Sequence, residues 1–436
     1  MVALLLALLF HAQAAQAGPV LLHGFKLVDP STRTVREQDL VLSWGKVGKA
    51  SDAGPACKVI EGRDRYLLPL LWDMKASLWG NDSAKDFKVL EQELGITQGL
   101  RVQLYYGVGH VVATYMSRDW VSREMKRAGA LQFPAAELLY PDKVLAAPGG
   151  FDWACLSVSS PAQVGPLVDD LKAKGVCYLQ VSALNPASKT LPGLSDALLK
   201  AVVGAAEQRG LKCYVFVDAW DRARTAVAAG AAAIQGLPEG QPSASLLRLM
   251  RSKHCAYAPS LALFLETNRL LGHPEVLQDP FMRTAVQAEV ADSFLDPAGL
   301  WEGWRWASDY GKKHQVEALR AVKAVADAGV EILSVTDAGW SAGLFHGYAT
   351  HSVQGWLEKA GLEPWVRLSA ATVWPAELMG RHIGFSEGDP GDFLALDADP
   401  LQSAASLRQI SFVIRDGAIV ERASLQPDLS RQRFKP

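Results

Sequence analysis

Two side chains in the segment Leu67-Leu68-Pro69-Leu70-Leu71-Trp72-Asp73-Met74-Lys75-Ala76-Ser77-Leu78-Trp79 have the type and spacing to do chemistry. Residues two apart on a β-strand point to one side, so Lys75 and Ser77 share a face while Met74 and Ala76 turn to the other. A lysine so placed can act as a base or a Schiff-base nucleophile, or can activate the serine hydroxyl as in Ser–Lys hydrolases. In a parallel barrel that polar face would lie at the C-terminal mouth, where active sites are built. A strand end turning into a polar loop accounts for the same residues without chemistry. Of the nine histidines, His110, His346 and His351 could approach such a mouth, but none sits in a metal-binding motif. His346 and His351, five apart, read as loop or helix-surface residues. The five cysteines, Cys57, Cys155, Cys177, Cys213 and Cys255, are odd in number, widely spaced and without a C-x-x-C pair. They do not read as a disulfide framework, and Cys177, Cys213 and Cys255, each in or at the start of an apolar run, read as small buried hydrophobes.

The elements that must position that face are legible as an alternation. Between about 67 and 380 strand-like apolar runs alternate with amphipathic helices, as in repeated βα units around a parallel sheet. Helices are predicted at Pro166–Lys174, Ser195–Gln208 and Ala318–Ala328, each before an apolar run, with Gly175, Gly210 and Gly329 as stop residues. Runs near 67, 107, 137, 177, 212, 231, 255 and 331 predict eight strands, and so an α/β protein with a (β/α)8 TIM-type barrel over 67–380 and an insertion around 265–312. Short strand patterns at 20–28 and 39–47 have counterparts at 392–397 and 410–420. Together they predict a small β-sandwich domain formed by the N- and C-terminal segments, 18–66 and 381–425.

A set of motifs follows this frame in a fixed order. The segment from Leu67 has the outline Leu-Pro-x-Leu-x-Asp, over Leu68 to Asp73, before Lys75 and Ser77. Leu333-Ser334-Val335-Thr336-Asp337-Ala338-Gly339 carries a Thr-Asp at the eighth strand. Gly361-Leu362-Glu363-Pro364, Ala371-Thr372 with Pro375-Ala376-Glu377-Leu378-Met379-Gly380, and Ile383-Gly384 leading to Asp389-Pro390-Gly391-Asp392-Phe393 complete the series. In this the chain resembles the amidohydrolase superfamily, particularly its imidazolonepropionase-like and prolidase-like branch, over nearly its whole length. The resemblance implies a barrel whose mouth holds zinc or paired metal ions, with the aspartate of the last strand binding metal and taking a proton from the attacking water. Asp337 matches that position. The other ligand positions are degenerate: Lys75 and Ser77 stand where the first strand has two histidines, Gln180 where the fourth has a carboxylated lysine, and Phe216 and Gly236 where the fifth and sixth have histidines. Zinc catalysis needs about three protein ligands from His, Asp, Glu or Cys, so neither metal nor cofactor is expected. An aspartate stripped of its metal is an under-compensated charge. Strands one and eight of a closed barrel are neighbours, about 4.8 Å apart, so Lys75 is expected to supply the missing positive charge to Asp337.

Bulk properties bound the partners. Forty-four basic against forty-six acidic residues, with no long basic run, give no electrostatic support for nucleic acid or an anionic membrane. Residues 2–10 form a short apolar run followed by small residues ending Ala15-Gln16-Ala17, the pattern of a signal peptide over 1–17. The run is too short to span a bilayer, so a secreted or periplasmic protein without a membrane span is expected, with an uncleaved anchor or a buried N-terminal segment as other readings. Three function classes fit. The favoured one is an exported amidohydrolase-fold protein without metal-dependent hydrolysis, a pseudoenzyme that binds a small molecule in the barrel mouth or acts as a scaffold. The second is a metal-free hydrolase of C–N bonds using Lys75 or Ser77. The third is a hydrolase with a residual metal at Asp337. Trp72, Trp79 and Trp340 could favour an apolar or cyclic ligand, and no feature of the sequence sets an oligomeric state.

Overall fold

A computed structural model describes residues 18–55, 57–78, 95–114, 116, 118–127, 134–149, 155–176, 178–187, 191–284, 286, 302–339 and 343–426. The signal-peptide segment 1–17, Cys177, Trp79 and Trp340 lie outside them.

The N-terminal hydrophobic alternation forms β1 (Val20–Asp29) and β2 (Thr34–Ser43), an antiparallel pair running from Val20↔Leu42 to Asp29↔Thr34. β3 (Lys46–Val47) returns across Trp44 and Gly45, at φ 55° and 78°, the left-handed pair that matches hairpin twist. β4 (Lys58–Glu61) and β5 (Tyr66–Pro69) both run parallel to β1.

The central chain follows the predicted alternation. β6 (Leu71–Ala76), β7 (Val108–Ala113) and β8 (Glu137–Leu139) pair in parallel. A six-stranded parallel sheet contains β9 (Val144–Ala146), β10 (Cys155–Ser157), β11 (Tyr178–Ser182), β12 (Lys212–Phe216), β13 (Ala233–Gly236) and β14 (Ala256–Pro259) in the order β10-β9-β11-β12-β13-β14. The extended segment 331–338 laces the two sheets together. On one side Tyr257 N–H donates to Glu331 O at 2.8 Å, and Leu333 N–H to Tyr257 O at 2.8 Å. On the other, Met74 N–H donates to Ser334 O at 3.0 Å, Asp337 N–H to Lys75 O at 2.9 Å and Ser77 N–H to Ala338 O at 2.7 Å.

The helices between these strands begin and stop where residue chemistry dictates. Pro161–Ala173 starts with proline at its first position, where no N–H is needed, and buries Val164, Val168 and Leu171. Asp196–Gln208 is capped by the Ser195 hydroxyl, which accepts from Leu198 N–H at 3.3 Å. The predicted helix 318–328 is the end of a longer one, Glu302–Asp327. Gly175, Gly210 and Gly329 all take positive φ after these helices, the conformation that ends them.

The chain ends meet in one sheet. β15 (Phe393–Leu396) pairs antiparallel with β5, and β16 (Ile410–Arg415) and β17 (Ala418–Val420) follow it, giving the order β17-β16-β15-β5-β1-β2-β3 with β4 on β1. The apolar run from Leu67 therefore divides. Pro69 has no N–H to continue a ladder, so Tyr66–Pro69 stays with the chain ends and only Leu71–Ala76 enters the central sheets. The molecule is a mixed α/β protein with extensive parallel sheet. One core cluster lies between strands and helices, and a second contains Trp72, Met74, Tyr178, Tyr214, Phe216, Leu333 and Val335, which come from both central sheets and the lacing segment. Cys155, Cys213 and Cys255 are buried core residues, and burial pushes the Cys213 thiol up to about 12. Among the described residues no helix is long and apolar enough to cross a membrane.

Candidate active site

Side chains from β6, β12, β13 and the lacing segment meet near the C-terminal ends of these strands. The Lys75 ammonium lies 2.6 Å from Asp337 Oδ1, with side-chain exposures of 7 % and 0 %. The ammonium also lies over the Phe216 ring, whose centroid is 4.5 Å from Nζ, so a carboxylate and an aromatic face both meet it. The ion pair expected between Lys75 and Asp337 is present. Asp337 holds φ 57°, a left-handed conformation that aspartate tolerates better than most residues. Close passage of the lacing segment past β6 needs Gly339, because a Cβ there would stand 1.9 Å from Ser77 O.

Asp73 is a site residue to which the sequence reading assigned no role. Its buried carboxyl accepts Lys75 N–H at 3.1 Å and Thr336 N–H at 3.3 Å on Oδ1, and meets the Thr336 hydroxyl at 2.5 Å on Oδ2. Burial raises Asp73 to about 7 and outweighs the hydrogen bonds from Thr336 and Lys75, while the nearby Asp337 pushes the same way. The available signal was a lone acid between two buried apolar residues, Trp72 and Met74, in a strand with no other carboxylate.

Strict alternation fails along β6. Its register with β7 shifts between Asp73 and Ala76, and Met74 packs in the same cluster as Phe216, the ring that Lys75 covers. Met74 and Lys75 therefore reach the same group of residues instead of facing apart. Ser77 is fully buried and its hydroxyl has no hydrogen-bond partner among the described residues, so the Ser–Lys hydrogen bond that base activation would use is not formed. Its carbonyl is 3.0 Å from His346 Nε2.

The remaining degenerate positions divide. Gln180 is buried, accepting the Thr114 hydroxyl at 3.1 Å and donating to Ala113 O at 3.1 Å, which ties β11 to the end of β7. Gly236 faces no site: at φ 151° a Cβ would stand 2.0 Å from Val217 O, so no side chain fits. Gln235 takes the place that the sequence reading gave to Gly236. It is the register partner of Phe216, and its Nε2 lies 3.0 Å from Ser260 Oγ and 3.5 Å from Asp337 Oδ2. A one-residue slip on a strand exchanges its faces, and this one exchanged a glycine for a glutamine.

The histidines depart from their expected places. His346 and His351, read as surface residues, are buried. His351 lies on Tyr348–Lys359, 2.8 Å from Tyr106 O through Nε2, and burial lowers it to about 3, so it is neutral. His110 does not approach Lys75. It pairs in register with Trp72 near the start of the strands, stacks on that ring at 4.2 Å, and holds Glu137 at 3.0 Å. Trp72 is thus packed at the opposite end of the strands from the site. Burial works to raise Glu137, but the hydrogen bond and charge of His110 and the charge of Arg381, 2.6 Å away, bring it down to about 2.

A zinc or paired-metal centre does not fit this donor set. Such a site needs about three His, Asp, Glu or Cys donors, and among the described residues no three of these side chains converge. Asp337 faces an ammonium and an amide instead.

The parallel strands, the lacing segment and the sheet joining both chain ends form a fold shared with solved amidohydrolase and prolidase structures. The chain is similar to a Xaa-Pro dipeptidase with methionine bound in its active site, at 19 % identity over 92 % of this chain and 100 % of that one, with a TM-score of 0.71. It is also similar to a molinate hydrolase, at 15 % identity over 96 % and 98 % and a TM-score of 0.72. A third likeness is to phenylurea hydrolase B, at 17 % identity over 95 % and 100 % and a TM-score of 0.70. At such identities the likeness shows the fold alone. No protein-family model and no curated relative matches the chain.

Proposed function

We propose that this is an exported protein that keeps the amidohydrolase architecture while a lysine carries the positive charge a metal would supply. In this reading it does not hydrolyse through metal-bound water, and its mouth binds a small molecule or serves as a scaffold. The observation that carries it is the buried Lys75 ammonium 2.6 Å from Asp337. An aspartate serving as base for a metal-bound water must offer its carboxylate to that water, whereas here an ammonium holds it. We read the central strands as a closed (β/α)8 barrel flanked by a β-sandwich from both chain ends. The backbone bonds through segment 331–338 and the Thr114–Gln180 tie support closure.

A hydrolase of C–N bonds is the second reading. It is favoured by the dipeptidase and phenylurea hydrolase among the similar structures and by the partnerless Ser77 hydroxyl two residues from Lys75. The two separate in one assay. Protein purified without metal, then with added zinc or manganese, is offered an Xaa-Pro dipeptide and an N-aryl urea, alongside Lys75→Met and Ser77→Ala. The first reading expects no turnover above heat-inactivated protein in any condition. Turnover that either variant abolishes establishes the second. Export is tested apart, by mass spectrometry of extracytoplasmic material: a chain starting at Gly18 agrees, and one retaining Met1 refutes it.

A further inference from the structure

Outside this site one helix face repeats a two-residue unit. On Glu302–Asp327 the pairs Arg305-Trp306, Asp309-Tyr310 and Lys313-His314 recur every four residues, so an aromatic ridge runs beside a ridge of alternating charge. The aromatic ridge is prearranged: Trp306 and Tyr310 both pack on Phe264, at 5.6 and 4.6 Å between centroids, and Tyr310 and His314 lie 4.5 Å apart. The Tyr310 hydroxyl donates to Leu237 O at 2.7 Å, just beyond β13, and Glu239 in the same loop holds His314 at 3.1 Å. Between helix and loop opens a cleft of about 720 Å³, within the size range of small-molecule sites. Trp306 stands in it 60 % exposed, a large rigid apolar face turned to solvent.

We propose that this cleft binds a neutral pyranose sugar chain, with the C–H face of one ring stacked on Trp306 and its hydroxyls held by Asp309, Lys313 and Glu239. The lining identifies the class. Its two carboxylates and two cations balance, so a ligand of either net charge gains attraction from one pair and repulsion from the other. A sugar hydroxyl, donor and acceptor at once, uses both signs, and an aromatic face accepts polarised C–H groups. Ridge residues about 5–6 Å apart match the reach of one ring.

The test uses the full chain, with maltotriose, cellotriose and tri-N-acetylchitotriose as probes and tetramethylammonium as the charged competitor, read by saturation-transfer NMR and calorimetry. At least one trisaccharide is expected to bind at about 1 mM or tighter, with Trp306→Ala weakening it about tenfold or more. Asp309→Ala should weaken it too. Because Trp306 is largely exposed, its variant should keep the wild-type urea midpoint, which separates lost binding from lost fold. No trisaccharide binding at about 1 mM or tighter, binding indifferent to Trp306→Ala, or tetramethylammonium binding more tightly than every sugar would each overturn the proposal.

Discussion

Replacing Lys75 by methionine isolates the role of its charge, because the apolar stem keeps its approximate volume and the packing on Phe216 is largely retained. Lys75 and Asp337 are both buried, so the pair belongs to the buried regime, where removing one partner costs about 3–5 kcal/mol, and not to the exposed regime of about 0–1 kcal/mol. The stranded carboxylate has one escape, which is to bind a proton. For a carboxyl of reference pKa near 3.9 that costs roughly 4 kcal/mol at pH 7 but only roughly 1.5 kcal/mol at pH 5. Lys75→Met should therefore destabilise by up to about 4 kcal/mol at pH 7 and by clearly less at pH 5. Asp337→Asn leaves the ammonium facing an amide, and the double variant removes both charges, so it should cost less than the sum of the singles by about 1–3 kcal/mol. Urea unfolding of the four proteins at both pH values measures this cycle. A cost below about 1 kcal/mol at pH 7, or strict additivity, would refute the charge-replacement idea.

Other consequences follow from neighbouring residues. Asp73 is raised from 3.8 to about 7 by burial, so between those values the folded state holds a proton that the unfolded state has released. Stability should fall as pH rises through that window. Asp73→Asn should flatten the slope in urea midpoints from pH 4 to 7, and an unchanged slope would contradict the assignment. Glu137 has the opposite sign, lowered from 4.5 to about 2, so its contribution is present above 4.5 and lost on acidification toward 2. Glu137→Gln should lose midpoint at pH 6 and little at pH 2, and equal losses at both would exclude the His110 and Arg381 pairing as the cause. Gly236→Ala should destabilise by more than about 1 kcal/mol, through a Cβ 2.0 Å from Val217 O and an unfavourable φ, whereas Gln235→His should fold. Comparable midpoints for these two would mean that β13 presents the other face.

Periodicity explains why much of the fold was readable. Strands announced themselves as short apolar runs, helices stopped at Gly175, Gly210 and Gly329, and both chain ends carried matching strand patterns. The Lys75–Asp337 pair was reachable because it needs only two neighbouring strand ends and a missing charge. Other features depend on long-range packing. The register shift in β6 that brings Met74 and Lys75 to the same residues arises from pairing with β7, and Gln235 displaced Gly236 because a glycine pressed against Val217 O leaves the preceding residue to face Asp337. Nearly every described residue of Tyr348–Lys359 is buried, so this helix has no polar face to betray His351 as interior. Asp73 looked like one more polar residue in a strand until Thr336 and the backbone of Lys75 closed around it.

Metal content tests the central claim most directly. Protein purified without added metal, dialysed and measured by inductively coupled plasma mass spectrometry should carry well under one equivalent of zinc, iron or manganese. Lys75→His with Ser77→His should not by itself restore zinc hydrolysis, since Gln180, Phe216 and Gln235 still offer no donors of the required kind. Stoichiometric metal that survives dialysis of the wild-type protein would contradict the account.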